Sequence, residues 1–219
     1  MSNLYDCSVD SELLTGMRLA RTALGRGELV VLPTDTVYGL AADAFNPAAV
    51  QRLLDAKGRT RQQPPPVLVS GTDTLAALAS VVPDLVTQLV EEFWPGGLTV
   101  ILPAQQSLVW DLGDTDGTVA LRMPDNEIAL ELLRESGPLA VSSANLTGES
   151  PAETAASAQE MLGESVEIYL DAGTGTSVPS TIIDATALTL DDGVATILRE
   201  GVISRDQLRE VLGDRLADD

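Results

Sequence analysis

The sequence predicts a single α/β domain built on a mixed sheet, and three observations carry that expectation. Short apolar runs of valine, isoleucine and leucine interleave with segments whose apolar residues recur every three or four positions. The two kinds mix without the strict alternation that an all-parallel sheet requires. No internal repeat or linker divides the 219 residues, a length that can bury a substantial core.

Residues 11–25 read as an amphipathic helix, with Leu14, Met17, Ala20 and Leu24 on one face and Asp10 or Ser11 as cap. Residues 28–32 form an apolar strand stopped by Pro33. Pro33-Thr34-Asp35-Thr36 then turns at the sheet edge where open α/β folds place ligands. Residues 37–42 continue as a close-packed segment. Asn46 caps and Pro47 opens a helix that runs through Val50, Leu53 and Leu54 to Lys57, where Gly58 ends it. After Pro64-Pro65-Pro66 come a buried strand (67–69), a weak helix (72–80) and a stronger one (83–93) broken by Trp94-Pro95-Gly96-Gly97. A strand at 98–102 and a polar connection at 105–117 lead to another strand, 118–122, with Arg122 at its end. Asp125 caps a helix through Leu133, and strand 139–141 empties into Ser142-Ser143-Ala144-Asn145. Helix 153–162, strand 166–170, a glycine loop at 173–177, strands 180–184 and 194–198, and a terminal helix at 206–212 complete the order.

Composition excludes more than it selects. There is no histidine and one cysteine, so Ser-His-Asp and Cys-His catalysis, histidine-ligated zinc and thiolate clusters are all ruled out. Chemistry must rest on carboxylates, hydroxyls, arginines, Lys57, backbone amides or a hard cation. The lone Cys7 and the lack of a signal-peptide pattern or an apolar run of membrane-spanning length lead us to expect a cytoplasmic protein with no membrane contact. A net charge of −20 argues against extended nonspecific binding of nucleic acid.

In so acidic a chain a phosphate site needs a local cluster of positive charge. Lys57, the only lysine, stands with Arg59 and Arg61 at a helix end. The bland alternative is a basic C-terminus complementing the helix dipole. Three turns of small hydroxyl residues, at Thr34-Asp35-Thr36, Ser142-Ser143-Ala144-Asn145 and Ser180-Thr181, can hold anionic oxygens, although turns and caps use the same residues. Arg122 and Arg199 end apolar strands, where a guanidinium needs a partner, whether a ligand or a structural carboxylate. Gly173-Thr174-Gly175 lacks both the dinucleotide fingerprint and the P-loop lysine.

Six motifs occur in a telling order. They are Leu32-Pro33-Thr34-Asp35-Thr36-Val37-Tyr38-Gly39-Leu40, Lys57-Gly58-Arg59, Trp94-Pro95-Gly96-Gly97-Leu98-Thr99, Ser142-Ser143-Ala144-Asn145-Leu146-Thr147-Gly148, Ser180-Thr181-Ile182 and Ile197-Leu198-Arg199-Glu200-Gly201. Together they resemble the YrdC family, the L-threonylcarbamoyladenylate synthases, over residues 14–203. The resemblance implies a twisted open sheet with a concave face, flanked by an N-terminal segment (1–13) and a C-terminal helix with an acidic tail (204–219). It also implies formation of threonylcarbamoyl-AMP and pyrophosphate from L-threonine, bicarbonate and ATP, with magnesium accompanying the ATP and no protein-held metal. The product feeds a tRNA threonylcarbamoyltransferase complex, and tRNA or double-stranded RNA is a further expected partner.

On the same resemblance Lys57 and Arg59 are catalytic and bind ATP together with Arg61, Thr118, Ser143, Asn145 and Arg199. Thr34, Thr36, Tyr38, Arg122, Ser142 and Ser180 are assigned to threonine, with Arg122 on its carboxylate. Thr60 stands where many relatives have proline, and 67–69 lacks the histidine some relatives place near threonine, so contact there is expected to be apolar, or the substrate differs. The C-terminal domain of some relatives is expected to have no counterpart, its role falling to a loop or being absent. A non-catalytic RNA-binding module of the same fold, and a paralogue with another carbamoyl acceptor, are the competing readings.

Overall fold

Among the residues that the computed structural model describes, 3–218, ten strands form one mixed sheet. Met1 and Ser2 of the N-terminal segment and Asp219 of the acidic tail lie outside the described residues. The strands are β1 (Leu4–Asp6), β2 (Val30–Leu32), β3 (Gly39–Asp43), β4 (Val67–Leu68), β5 (Leu98–Pro103), β6 (Thr118–Arg122), β7 (Leu139–Ser143), β8 (Ile168–Asp171), β9 (Thr181–Asp184) and β10 (Thr196–Arg199). They lie in the order β1-β8-β2-β3-β7-β4-β6-β5-β9-β10. The sheet is open, with β1 and β10 at its edges. Pairs β1/β8, β2/β8, β4/β6 and β5/β9 are parallel. The other five are antiparallel.

Alternation along the strands assigns the helices to faces. In β2, Val31 packs into one core with α2 (Pro47–Lys57) and α6 (Ala155–Leu162). Val30 and Leu32 point to the opposite side, against α1 (Asp10–Gly25) and α5 (Glu127–Ser136). At the other end of the sheet, Leu98, Val100, Leu102, Val119, Leu121 and Ile183 pack on α4 (Asp84–Phe93), joined by α3 (Asp73–Leu78) and α7 (Arg205–Leu212). Their strand neighbours Thr99, Ile101, Thr118, Ala120 and Ile182 face away from that core and line open cavities instead. This helix-free face is the concave surface.

Local chemistry explains the ends of α2. The Asn46 carboxamide accepts from the amides of Ala48 (3.1 Å) and Ala49 (3.2 Å), and Gly58 closes the helix at φ 66°, a conformation glycine adopts without strain. Elsewhere the boundaries shift. α5 is capped by Asn126, whose Oδ1 accepts from the Ala129 amide, and not by Asp125. The Asp125 amide donates instead to Asp35 (3.0 Å). α1 starts after Val9 with no side-chain cap, in place of the expected Asp10 or Ser11. Thr154 and Ser157 form a reciprocal capping box, so α6 begins at Ala155.

One strand and the end of another were not legible from pattern alone. Leu4–Asp6 joins the sheet beside β8, because a three-residue edge strand is too short to show periodicity. β7 runs on through Ser142 and Ser143, which pair with Leu40 and Gly39 of β3, so the serines belong to a strand and not to the turn after it. At the C-terminus Leu208, Leu212 and Leu216 are buried in the same core as α4.

Candidate active site

The helix-free face forms the floor of a cavity of about 250 Å³. Strand ends and the loops after them supply its wall. Thr34, Thr36 and Tyr38 come from the β2–β3 connection, Arg59 from the loop after α2, and Arg122 from the end of β6. Ser142 and Ser143 come from β7, Ser180 from just before β9, and Arg199 from the end of β10. The structure therefore gathers every residue expected at threonine, and three of those expected at ATP, around one hollow.

Arg122 is the most constrained of these. It is 6% exposed and ends a strand whose Val119 and Leu121 are buried in the apolar core. Its Nη2 donates to Asp35 Oδ1 (2.6 Å), its Nη1 to Thr36 Oγ1 (2.8 Å) and its Nε to the Gly96 carbonyl (2.9 Å). The Asp35 carboxylate thus compensates one guanidinium of the hollow. Thr36 is fixed in turn, because its amide donates to Thr34 Oγ1 (3.1 Å) and its carbonyl accepts from Thr176 Oγ1 (2.6 Å).

The other two guanidiniums lack such compensation among the described residues. Arg199 donates through Nε and Nη2 to the Ser180 carbonyl (3.1 and 2.8 Å) and through Nη2 to Ser180 Oγ (2.9 Å), all neutral acceptors. Burial, followed by the charges of Arg122 and Arg59, holds its pKa below the usual arginine value. Arg59 is likewise depressed by burial, and its buried Nε has no hydrogen-bond partner among the described residues. An orphaned charged donor at a cavity wall is costly unless an anion arrives.

Four expected ATP residues stand elsewhere: Arg61, Thr118, Asn145 and Lys57. Arg61 points away and pairs with Asp111 (2.7 Å) and Asp114 (3.5 Å) on the 105–117 connection. Thr118 lines a neighbouring, mostly apolar cavity of about 190 Å³, which shares Pro64, Pro66, Ile182 and Arg199 with the hollow, and its hydroxyl donates to the Thr115 carbonyl (2.7 Å). Asn145 lies behind the wall, 5% exposed, its amide donating to the carbonyls of Leu146 (2.8 Å) and Glu149 (2.7 Å).

Lys57, expected to bind ATP beside Arg59, does not line the hollow. It is 1% exposed. Its Nζ donates to the Ser143 carbonyl and to the Asn145 carbonyl (2.6 Å), with Asn145 Oδ1 at 3.4 Å. Burial, with Arg59 second, pushes its pKa down to about 7. The physical reason is length: the four-carbon stem carries the ammonium from the end of α2 under the turn instead of out of it.

Sequence reasoning included Asp35 and Thr99 in its motifs but gave neither a role of its own. Thr99 is buried with its hydroxyl 2.9 Å from Ser180 Oγ, and a lone hydroxyl in the run Leu98-Thr99-Val100-Ile101-Leu102 was the available signal. The partner of Asp35 was not legible, because it is 87 residues away. Leu68 also lines the hollow.

The model of a family described as Telomere recombination, which spans Sua5, YciO and YrdC proteins, matches residues 22–201. The chain belongs to the Sua5/YrdC family. This family member is 47% identical over 214 residues to a Mycobacterium leprae protein provisionally named a threonylcarbamoyl-AMP synthase, covering 97% of this chain and 95% of that one. It is 38% identical over 198 residues to the threonylcarbamoyl-AMP synthase of Bacillus subtilis, covering 89% of this chain and 56% of that longer relative. Pyrococcus abyssi Sua5, solved in complex with L-threonine, matches it with a TM-score of 0.85 and 32% sequence identity, covering 97% of this chain and 61% of that one.

Proposed function

We propose that this Sua5/YrdC protein is an L-threonylcarbamoyladenylate synthase. One observation carries the reading: three guanidiniums, two of them without a carboxylate, converge on one hollow beside a set of hydroxyl groups. The charges of Arg122 and Arg59 both lower the pKa of Arg199, so Arg199 stands within electrostatic reach of each. Such a site takes a polyanion and the carboxylate of a small amino acid together.

The chemistry fits these residues. The amine of threonine attacks the carbon of bicarbonate, water leaves, and a carbamate results. A carbamate oxygen then bonds to the α-phosphorus of ATP while the bond from that phosphorus to the bridging oxygen breaks, releasing pyrophosphate. Little covalent work falls to the protein, so positioning and charge neutralisation dominate. Arg59 and Arg199 neutralise phosphate oxygens. Arg122, aimed by Asp35 and Thr36, takes the threonine carboxylate through its remaining donors, and Ser180 with Thr99 supplies hydroxyls nearby.

No carboxylate lines the hollow, and no cluster of three or more potential metal ligands occurs among the described residues. These residues do not fit a protein-held magnesium ion, and the metal belongs to the nucleotide as its counter-ion. The product is a reactive mixed anhydride, consumed by a transferase that acts on tRNA. With a net charge of −20, this chain leaves extended RNA contact to that partner. No helix among the described residues is long and apolar enough to cross a membrane, and we place the enzyme in the cytoplasm beside its tRNA pathway.

The test is pyrophosphate release from ATP and bicarbonate with threonine, serine, glycine or no amino acid. Release that depends on threonine is expected. Equal release without an amino acid, or with glycine in its place, overturns the reading.

A further inference from the structure

We propose that Lys57 and Asn145 are positioning residues that lock the 144–148 turn so that Ser142 and Ser143, at the end of β7, face the hollow, and that neither touches the nucleotide. This rests on the synthase reading of that hollow. An ammonium has three N–H donors and no acceptor. On Lys57 the three meet the carbonyls of Ser143 and Asn145 and the Oδ1 of Asn145, which leaves none for a phosphate. The Asn145 amide is equally spent, its two protons on the Leu146 and Glu149 carbonyls and its oxygen on Lys57. The two side chains satisfy each other behind the wall.

The backbone repeats the connection. The Thr147 amide donates to the Lys57 carbonyl (3.0 Å), so the last residue of α2 holds the turn by its main chain as well as its side chain. On the near side, Ser142 and Ser143 are held by pairing with β3, and the Ala144 amide donates to the Tyr38 carbonyl (2.8 Å). The serines are therefore clamped between a strand partner and a buried cation. To reach a phosphate, Lys57 would have to abandon three oxygens and leave them unsatisfied in a closed space. Arg59, two residues on, is the contrast: it lines the cavity and keeps a donor without a partner.

Because Lys57 is the only lysine, protein labelled with [15Nζ]-lysine gives a single side-chain ammonium signal. At pH 6, below the value of about 7 to which burial lowers the group, it is charged. We expect a slowly exchanging resonance already visible without ligand and little moved by ATP. A resonance that appears only with ATP, or that couples to a phosphorus, overturns the proposal. A second measurement compares AMP and ATP affinities. In Lys57→Met and in Asn145→Ala both affinities fall tenfold or more by the same factor, keeping the ATP-to-AMP ratio within twofold of wild type. In Arg59→Met the ATP affinity falls at least tenfold more than that of AMP. A Lys57→Met variant that changes the ratio as Arg59→Met does, or that leaves both affinities intact, overturns the lock. Should Lys57→Met fail to fold, the wild-type resonance decides. A wild-type protein that binds neither nucleotide refutes the synthase reading, a result distinct from an altered ratio.

Discussion

Replacing Asp35 by alanine strands a guanidinium. Arg122 is 6% exposed and holds the Asp35 carboxylate at 2.6 Å, and that carboxylate is itself only 17% exposed. Removing one side of a buried pair costs about 3–5 kcal/mol, because the remaining charge is left uncompensated. Two features place Asp35→Ala at the low end. Arg122 keeps the Gly96 carbonyl and the Thr36 hydroxyl, and it opens onto a hollow that admits water. We therefore expect a loss of about 3 kcal/mol, the lower bound of that range. At about 2–4 °C per kcal/mol for a chain of this size, the melting temperature falls by about 6–12 °C. Asp35→Asn keeps one acceptor for Arg122 and loses about half as much. Urea denaturation of both variants, of Arg122→Met and of the double variant gives the coupling directly. On the synthase reading the KM for threonine also rises at least tenfold in Asp35→Ala, since nothing then aims the guanidinium. A loss below about 1 kcal/mol, the size of an exposed pair, with an unchanged threonine KM refutes the reasoning.

Two further outcomes follow from the other cations. Lys57 titrates near pH 7 in the folded protein against an ordinary value of 10.5. Between these values the unfolded chain binds more protons than the folded one, so stability rises with pH across that window, while below 7 the folded state bears the full desolvation cost. Urea midpoints from pH 6 to 9.5 should climb in wild type and climb less in Lys57→Met, and superimposable curves refute the shift. Arg61→Ala should leave ATP affinity within twofold of wild type, because Arg61 is paired with Asp111 and Asp114 outside the hollow, and a tenfold loss measured by calorimetry would return it to the site.

Much of the fold was legible because it rests on local rules. The Asn46 cap, Pro47 and Gly58 fix α2 by chemistry confined to a few neighbouring residues, and the apolar runs at β5, β6 and β9 announce strands by composition. The caps at Asp125 and Ser11 failed for the converse reason. Several residues near a helix start can cap it, and Asp125 is drawn away when its amide binds Asp35, 90 positions distant. The motifs around Thr34, Ser142, Ser180 and Arg199 marked the wall of the hollow, since strand ends bearing hydroxyl groups and arginine are unusual beside an apolar core.

What the amino-acid order determined by itself was the element types, the absence of histidine and thiol chemistry, and which short segments carry polar groups. Direction was beyond it. Whether Lys57 faces the cavity or the underside of the 143–145 turn, and whether Arg61 meets a ligand or two aspartates, depends on chain segments 50 or more residues away. Only tertiary structure settles that, because a flexible cationic side chain goes where it finds oxygen acceptors, and those acceptors are placed by the assembled sheet.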